Sequence, residues 1–400
     1  MVLSADSKWL LLLLSVFVAL GPLSTDMYLP ALPAMVDVFG TTLSSVQLTI
    51  SAYLAGFAIF HLFCGPLSDR FGRKPILIVG LVIFCISCVG CALVDTIDEL
   101  IMWRFIQGIG ACTGPTLGRA MVRDIYGPVK AAKGLAYMAA IMALAPVIAP
   151  TLGGWMLSFM SWSSIFWFLG GYGLLGIVVI ALLLPESLPE PQSLHPISIL
   201  KNFLSLLVDG RFNLHVLGAS FIYAGAFAFI SGSSFILIDF MNVPAENFGL
   251  WFMFIVLGYM IGNLFTARYA HRFESRHLML GGGLLGLSAG LVMVMFCLLE
   301  IYHPLMIVLP VACYTGAVGI TMPNAMAAAM APFPSIAGTA SALMGFVQMT
   351  IASIAGVGVG FFLVDEPLPM AIIICICGAL ATLLFVIISL TNRPVADQKG

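Results

Sequence analysis

Long apolar stretches alternate with short polar turns along the whole chain. An α-helix needs roughly 20 mostly apolar residues to cross a bilayer. On that measure the pattern predicts spans at about residues 9–30, 46–67, 75–95, 99–121, 134–157 and 163–184. A second set is predicted at about 213–238, 248–267, 278–299, 304–326, 336–363 and 369–390. Between the sets lies PESLPEPQSLHPIS, residues 185–198, with four prolines and two acids. It is the longest polar stretch and the best boundary. The expected fold class is an all-α integral membrane protein of twelve transmembrane helices in two pseudo-symmetric six-helix bundles. Residues 1–184 form the first bundle, 185–212 a cytoplasmic linker, and 213–400 the second bundle with a short cytoplasmic tail. The first apolar run lacks a basic leader and a small-residue cleavage site, so it is expected to be retained as a span.

Composition agrees. The chain is 61% hydrophobic and 8% charged, against about 25% charged in a soluble domain. A 42.7 kDa chain this poor in ionic groups must turn most of its surface to hydrocarbon. The net charge of −2 speaks against nucleic acid as a partner.

The charges also set an orientation. With the N-terminus inside, the inner segments hold Lys8, Arg70, Arg73, Lys74, Arg119, Arg123, Lys130, Lys133, Lys201, Arg211, Arg268, Arg272, Arg276, Arg393 and Lys399. That is 15 of the 16 Lys and Arg residues. The outer loops carry acids instead: Asp37, Asp95, Asp98, Glu99, Asp239, Glu246, Glu300, Asp365 and Glu366. Basic residues concentrate on the cytoplasmic side of membrane proteins, so both termini are expected in the cytoplasm.

All nine cysteines lie in apolar spans, without the neighbours that a metal site or disulfide needs, and packing roles are expected for them. No Gly-rich loop ending in Lys-Ser or Lys-Thr occurs, so transport energy would come from an ion gradient, a substrate gradient or a partner chain. No Ser-His-Asp, metal or paired-carboxylate arrangement points to an enzyme, and no cofactor or metal is expected.

Two charges fall inside the membrane. Asp26 follows a long apolar run, and Arg104 lies about five residues into the fourth span. At about 1.5 Å per residue both sit in the outer half of the bilayer, at similar depth. Ionised groups persist there only when they face a cavity or a partner. Their opposite signs suggest either mutual stabilisation or alternate occupancy by proton and substrate. A static structural ion pair is the plainer alternative. Tyr28, Tyr53, Gln107, Tyr223, Asn324 and Gln348 are candidates to line a cavity, although the amides serve equally well in helix packing.

The turn GPLSDRFGRK, residues 65–74, gathers Gly65, Asp69, Arg70, Gly72, Arg73 and Lys74. Arg123 and Asp124 at the end of the fourth span offer further partners, and Asp69 is suited to a helix N-terminus. A weaker echo, NLFTARYAHR, occurs at 263–272, and Arg268 follows Arg70 by close to half the chain. Duplicated bundles of this kind place substrate between the repeats and rock one half against the other. In the fifth span Pro146 and Pro150 should kink the helix, while Gly153 and Gly154 allow close packing.

Five stretches carry a family resemblance: STDMYLPALP, GPLSDRFGRK, RFIQGIGACTGPTLGRAMVRD, APVIAPTLGGW and MPNAMAAAMAPFPSIAGTASALMGFVQ. In this order and at these depths they resemble the major facilitator superfamily, within it the twelve-helix drug/proton antiporters of the Bcr/CflA type. The likeness runs from about Trp9 to Ile388. It implies a proton-coupled exporter in the bacterial inner membrane, acting as a monomer on small drug-like compounds such as phenicol or bicyclomycin-type antibiotics. Asp26 with Pro30 matches the family's acid pattern in helix 1, and Arg104 its arginine in helix 4. The 65–74 turn matches the family's gating loop, and Pro146, Pro150, Gly153 and Gly154 its helix 5 antiporter motif. Two departures stand out. LSVFVALGPLST, before Asp26, holds no second acid, and Ala145 and Ala149 stand where such antiporters have glycine. An exporter or importer of an endogenous metabolite or siderophore shares the fold, and a non-transporting membrane sensor is a third possibility.

Overall fold

The computed structural model describes residues 8–188, 196–363 and 366–391. The expected linker falls partly outside these, at 189–195, as does the tail beyond 391. Asp365, Arg393 and Lys399 lie there too.

Every element among the described residues is helical. The long helices are α1 (Leu10–Phe39), α2 (Leu43–Phe71), α3 (Arg73–Ala92), α4 (Ile97–Ala111), α5 (Thr113–Leu157), α6 (Ser163–Leu183), α7 (Gly210–Phe240), α8 (Ala245–Tyr269), α9 (Ser275–Leu298), α10 (Pro304–Met330), α11 (Ala337–Phe362) and α12 (Leu368–Thr391). A short helix, Pro196–Val208, precedes α7. Lipid offers backbone groups no hydrogen bonds, so helices that satisfy themselves are the natural solution for stretches this apolar.

The expected division between fourth and fifth spans is corrected. Among the described residues eleven helical stretches are long and apolar enough to cross a membrane. The 15 residues of α4 reach only about 22 Å, short of the roughly 30 Å hydrocarbon core. Cys112 keeps helical torsions, its N–H donating to the Gly108 carbonyl and its carbonyl accepting from Thr116 N–H, so the rest of the expected span continues through it as the first turns of α5. Pro115, the third residue of α5, has no N–H for the Ala111 carbonyl, which ends α4 there. The expected turn at 122–133 is itself helical, so α5 runs for 45 residues.

By contact the chain divides into two compact units. One comprises residues 1–199 with 231–253, and the other 200–230 with 254–400. α7 and α8 each contribute to both. In the first unit α2 meets α4 backbone to backbone: a Cβ at Gly56 would overlap the Phe105 carbonyl, and one at Gly108 the Tyr53 carbonyl. In the second unit the corresponding pair, α8 and α10, meets in the same way, with Gly258 against Ala312 and Gly262 against Gly316. Small residues let helix backbones approach where lipid provides no hydrophobic drive for association. The shared contact is the clearest sign of a duplicated plan.

Candidate functional site

Arg104, on α4, is fully buried in the first unit. Its guanidinium lies 4.5 Å from the ring centre of Tyr53, 4.6 Å from that of Tyr28 and 5.9 Å from that of Phe166. These rings come from α2, α1 and α6. One nitrogen donates to the Ser24 carbonyl at 3.2 Å and to Gln107 Oε1. Gln107 is fixed in turn, its amide donating to Cys88 Sγ at 3.0 Å. The Tyr28 hydroxyl pairs with Thr49 at 3.0 Å, and that of Tyr53 donates to the Gly21 carbonyl at 3.2 Å. Among the described residues Nε and the second terminal nitrogen of Arg104 have no hydrogen-bond partner. Aromatic faces supply the electrostatic compensation that a buried guanidinium requires.

The expected pairing of Asp26 with Arg104 is not made. Asp26 is 6% exposed, and among the described residues its carboxylate makes no ion pair or hydrogen bond. Asp26 closes the helical segment Leu20–Asp26, whereas Tyr28, which faces Arg104, lies beyond it in a turn that leads into the short 3-10 stretch Leu29–Ala31. Three of the cavity candidates, Tyr28, Tyr53 and Gln107, are closed around Arg104. Tyr223, Asn324 and Gln348 belong to the second unit. There Asn324 donates to the Ile320 carbonyl at 2.7 Å, and Tyr223 and Gln348 are half-buried.

The 65–74 turn folds around Arg73. Its guanidinium reaches Asp69 at 2.6 Å, Asp124 at 3.0 Å and the Ser68 hydroxyl. Gly72 has φ 98°, a left-handed conformation that favours glycine. Asp69 does not cap a helix. The N-terminus of α3 is capped by Glu186, which accepts from the backbone N–H of Arg73 at 3.0 Å and of Lys74 at 3.1 Å. Lys74 Nζ reaches back to the Ala181 carbonyl of α6 at 2.9 Å. Arg70 stacks on Phe71, and Arg123 is exposed. Gly65 faces open space.

In α5, Gly153 packs against the Met27 carbonyl of α1 and Gly154 against the Ala245 carbonyl at the start of α8, all within the first unit. Pro150 is buried and Pro146 half-buried. Sequence reading missed Phe166, Cys88 and Ser24 around Arg104, because contacts across helices leave no local signal. Glu186 did carry one: it is the first acid after the sixth apolar stretch.

A model of the Major Facilitator Superfamily matches residues 12–357. The bicyclomycin resistance protein homolog of Haemophilus influenzae is 27% identical over 96% of both chains. The MFS-type transporter YdgK of Bacillus subtilis is 33% identical over 96% of both. The multidrug resistance protein MdtL of Escherichia fergusonii is 28% identical over 96% of both. Among solved structures, the xylose transporter XylE from E. coli, in a partially occluded inward open conformation, shares the fold. Its TM-score is 0.72 at 15% identity, over 98% of this chain and 99% of that one. Apolar helices throughout, a glycine-sealed helix pair in each unit, the 65–74 turn closed on Arg73 and these matches agree, and the chain belongs to the major facilitator superfamily.

Proposed function

We propose that this transporter exports small drug-like compounds, such as phenicol or bicyclomycin-type antibiotics, in exchange for protons. The carrying observation is Asp26: a carboxylate inside α1, nearly buried, with no counter-charge among the described residues. Such a group is suited to take a proton whenever water reaches it. Arg104 has a different role in this reading. Caged by Tyr28, Tyr53 and Phe166, it fixes the first bundle around α1 and holds a positive charge near the Ser24 carbonyl. The names of the bicyclomycin- and multidrug-resistance relatives support the drug-like cargo. The protein acts as a monomer in the bacterial inner membrane with both termini in the cytoplasm. That places the 65–74 turn at the inner surface as a gate. The bundles 1–184 and 213–400 rock about a path that Tyr223, Asn324 and Gln348 help to line, while Pro146, Pro150, Gly153 and Gly154 give α5 a kinked, tightly packed hinge.

The test is a drug-panel susceptibility assay in an efflux-deficient host, paired with chloramphenicol uptake into everted vesicles driven by a pH gradient. Wild type should confer resistance and gradient-driven uptake, and Asp26→Asn should lose both. Undiminished gradient-driven uptake in Asp26→Asn would refute the proton role.

A further inference from the structure

The short helix Pro196–Val208 has no part in the mechanism above, yet its surface is divided in three. Its 13 residues reach only about 20 Å, too little to cross a bilayer. At about 100° per residue, the side chains from Ile199 onward fall into separate arcs. Lys201, Asn202 and Ser205 share a polar arc of about 100°. Ile199, Phe203 and Leu206 share an apolar arc of about 60°, in which Leu206 is buried and the other two are half-buried. Leu200, Leu204, Leu207 and Val208 share a second apolar arc of about 100°. These four are 59, 51, 50 and 84% exposed. A helix on a soluble surface needs two faces, one against the core and one toward water. An uncovered apolar arc beside them requires a third medium. The outward side chains of the spans, such as Leu174, Leu175 and Leu182 of α6, are exposed in the same way, and their medium is hydrocarbon.

The end of this helix suits that setting. Asp209 alone separates it from α7. The last carbonyls of a helix lack intrahelical donors, and lipid supplies none. Here the Leu206 carbonyl accepts from the Asp209 N–H at 3.2 Å, and the Leu207 carbonyl from the Asn213 side-chain amide at 2.7 Å. The Asp209 carboxylate is occupied as well, accepting from the Phe212 N–H at 2.7 Å. The helix carries no acid, and its one base, Lys201, borders the exposed apolar arc. From that position a lysine stem can lie along apolar surface while the ammonium reaches headgroup phosphates.

We propose that the helix Pro196–Val208 docks on the phospholipid surface at which α7 begins. Leu200, Leu204, Leu207 and Val208 enter the acyl chains, and Lys201 stays with the headgroup phosphates. The helix thereby fastens the segment between α6 and α7 to the bilayer. This docking depends on neither the cargo nor the orientation proposed above.

The test places the photo-crosslinker p-benzoylphenylalanine at Leu204, or at Ser205 on the polar arc. The full-length protein is irradiated in nanodiscs of phosphatidylethanolamine and phosphatidylglycerol, and mass spectrometry identifies the adducts. Both positions are exposed, so neither probe displaces a buried group, and a wild-type unfolding temperature checks the fold. The probe at Leu204 should take up phospholipid about fivefold more than the probe at Ser205, because one residue turns the side chain about 100° from lipid to water. No phospholipid on the Leu204 probe, or an amount within twofold of the Ser205 probe, overturns the proposal. So does a Leu204 probe joined to a peptide of the same chain, which would mean that the chain covers its own stripe. A crosslinked band of twice the mass would assign the stripe to a second copy and overturn it equally.

Discussion

Glu186 offers a sharp quantitative test, because one side chain ties the end of α6 to the start of α3. Its carboxylate accepts from two backbone donors at the α3 N-terminus and from the N–H groups of Ser187 and Leu188 at 2.9 and 3.0 Å. A capping side chain is worth about 1 kcal/mol, within a range of roughly 0.5–2, and a charge at a helix N-terminus adds a few tenths. Glu186 is exposed, so solvent screens the charge and about 1 kcal/mol is the appropriate total. Glu186→Ala should therefore raise the open population of the 65–74 turn about fivefold, since 1.4 kcal/mol is tenfold. Limited trypsin digestion of the purified protein reads this population when opening and reclosing are fast. Lys74 is followed by Pro75, so the susceptible bonds are those after Arg70 and Arg73. Glu186→Gln keeps an acceptor and should give an intermediate rate. Cleavage of Glu186→Ala within twofold of wild type would show that the cap does not hold the turn.

Glycine substitutions should separate by contact. Gly108→Ala forces a methyl into the Tyr53 carbonyl and should cost about 1–3 kcal/mol, read as a lower unfolding temperature in detergent. Gly65→Ala meets open space and should leave that temperature unchanged or slightly raised. Gly72→Ala places a side chain at φ 98° and should cost about 1 kcal/mol or more, visible as faster trypsin cleavage of the same turn. Arg104→Lys keeps the charge but loses the planar fork set against two tyrosine rings, and unfolding should drop by several degrees with loss of transport. Wild-type unfolding and transport in that variant would remove Arg104 from the account.

Much of the architecture was legible one residue at a time. Whether a stretch crosses a bilayer depends on its own length and polarity, which is why α1, α2, α3 and α6 through α12 fall where the apolar runs predict them. The cluster of Asp69, Arg70, Arg73 and Lys74, and the isolation of Arg104 among apolar residues, could be read in the same way. What surrounds those charges could not. These helices are apolar on nearly every side, so hydropathy leaves their rotation about the axis undetermined. The packing of the helices, with the turn at residues 27–28, decided that Arg104 meets Tyr28, Tyr53 and Phe166 while Asp26 makes no ion pair among the described residues. Tertiary packing likewise chose Glu186 over Asp69 to cap α3, because only the folded bundle brings residue 186 beside residue 73. The link between the fourth and fifth spans, expected as a turn at 122–133 but helical, was misread for a related reason. Pro115 announces a disturbed helix, but the contacts around it decide whether the chain turns or continues into α5. The sequence alone therefore determined where the chain enters and leaves lipid, since that is a local transfer of segments between solvents. The tertiary structure decided which buried groups touch, since that depends on the phase and spacing of helices far apart in the chain.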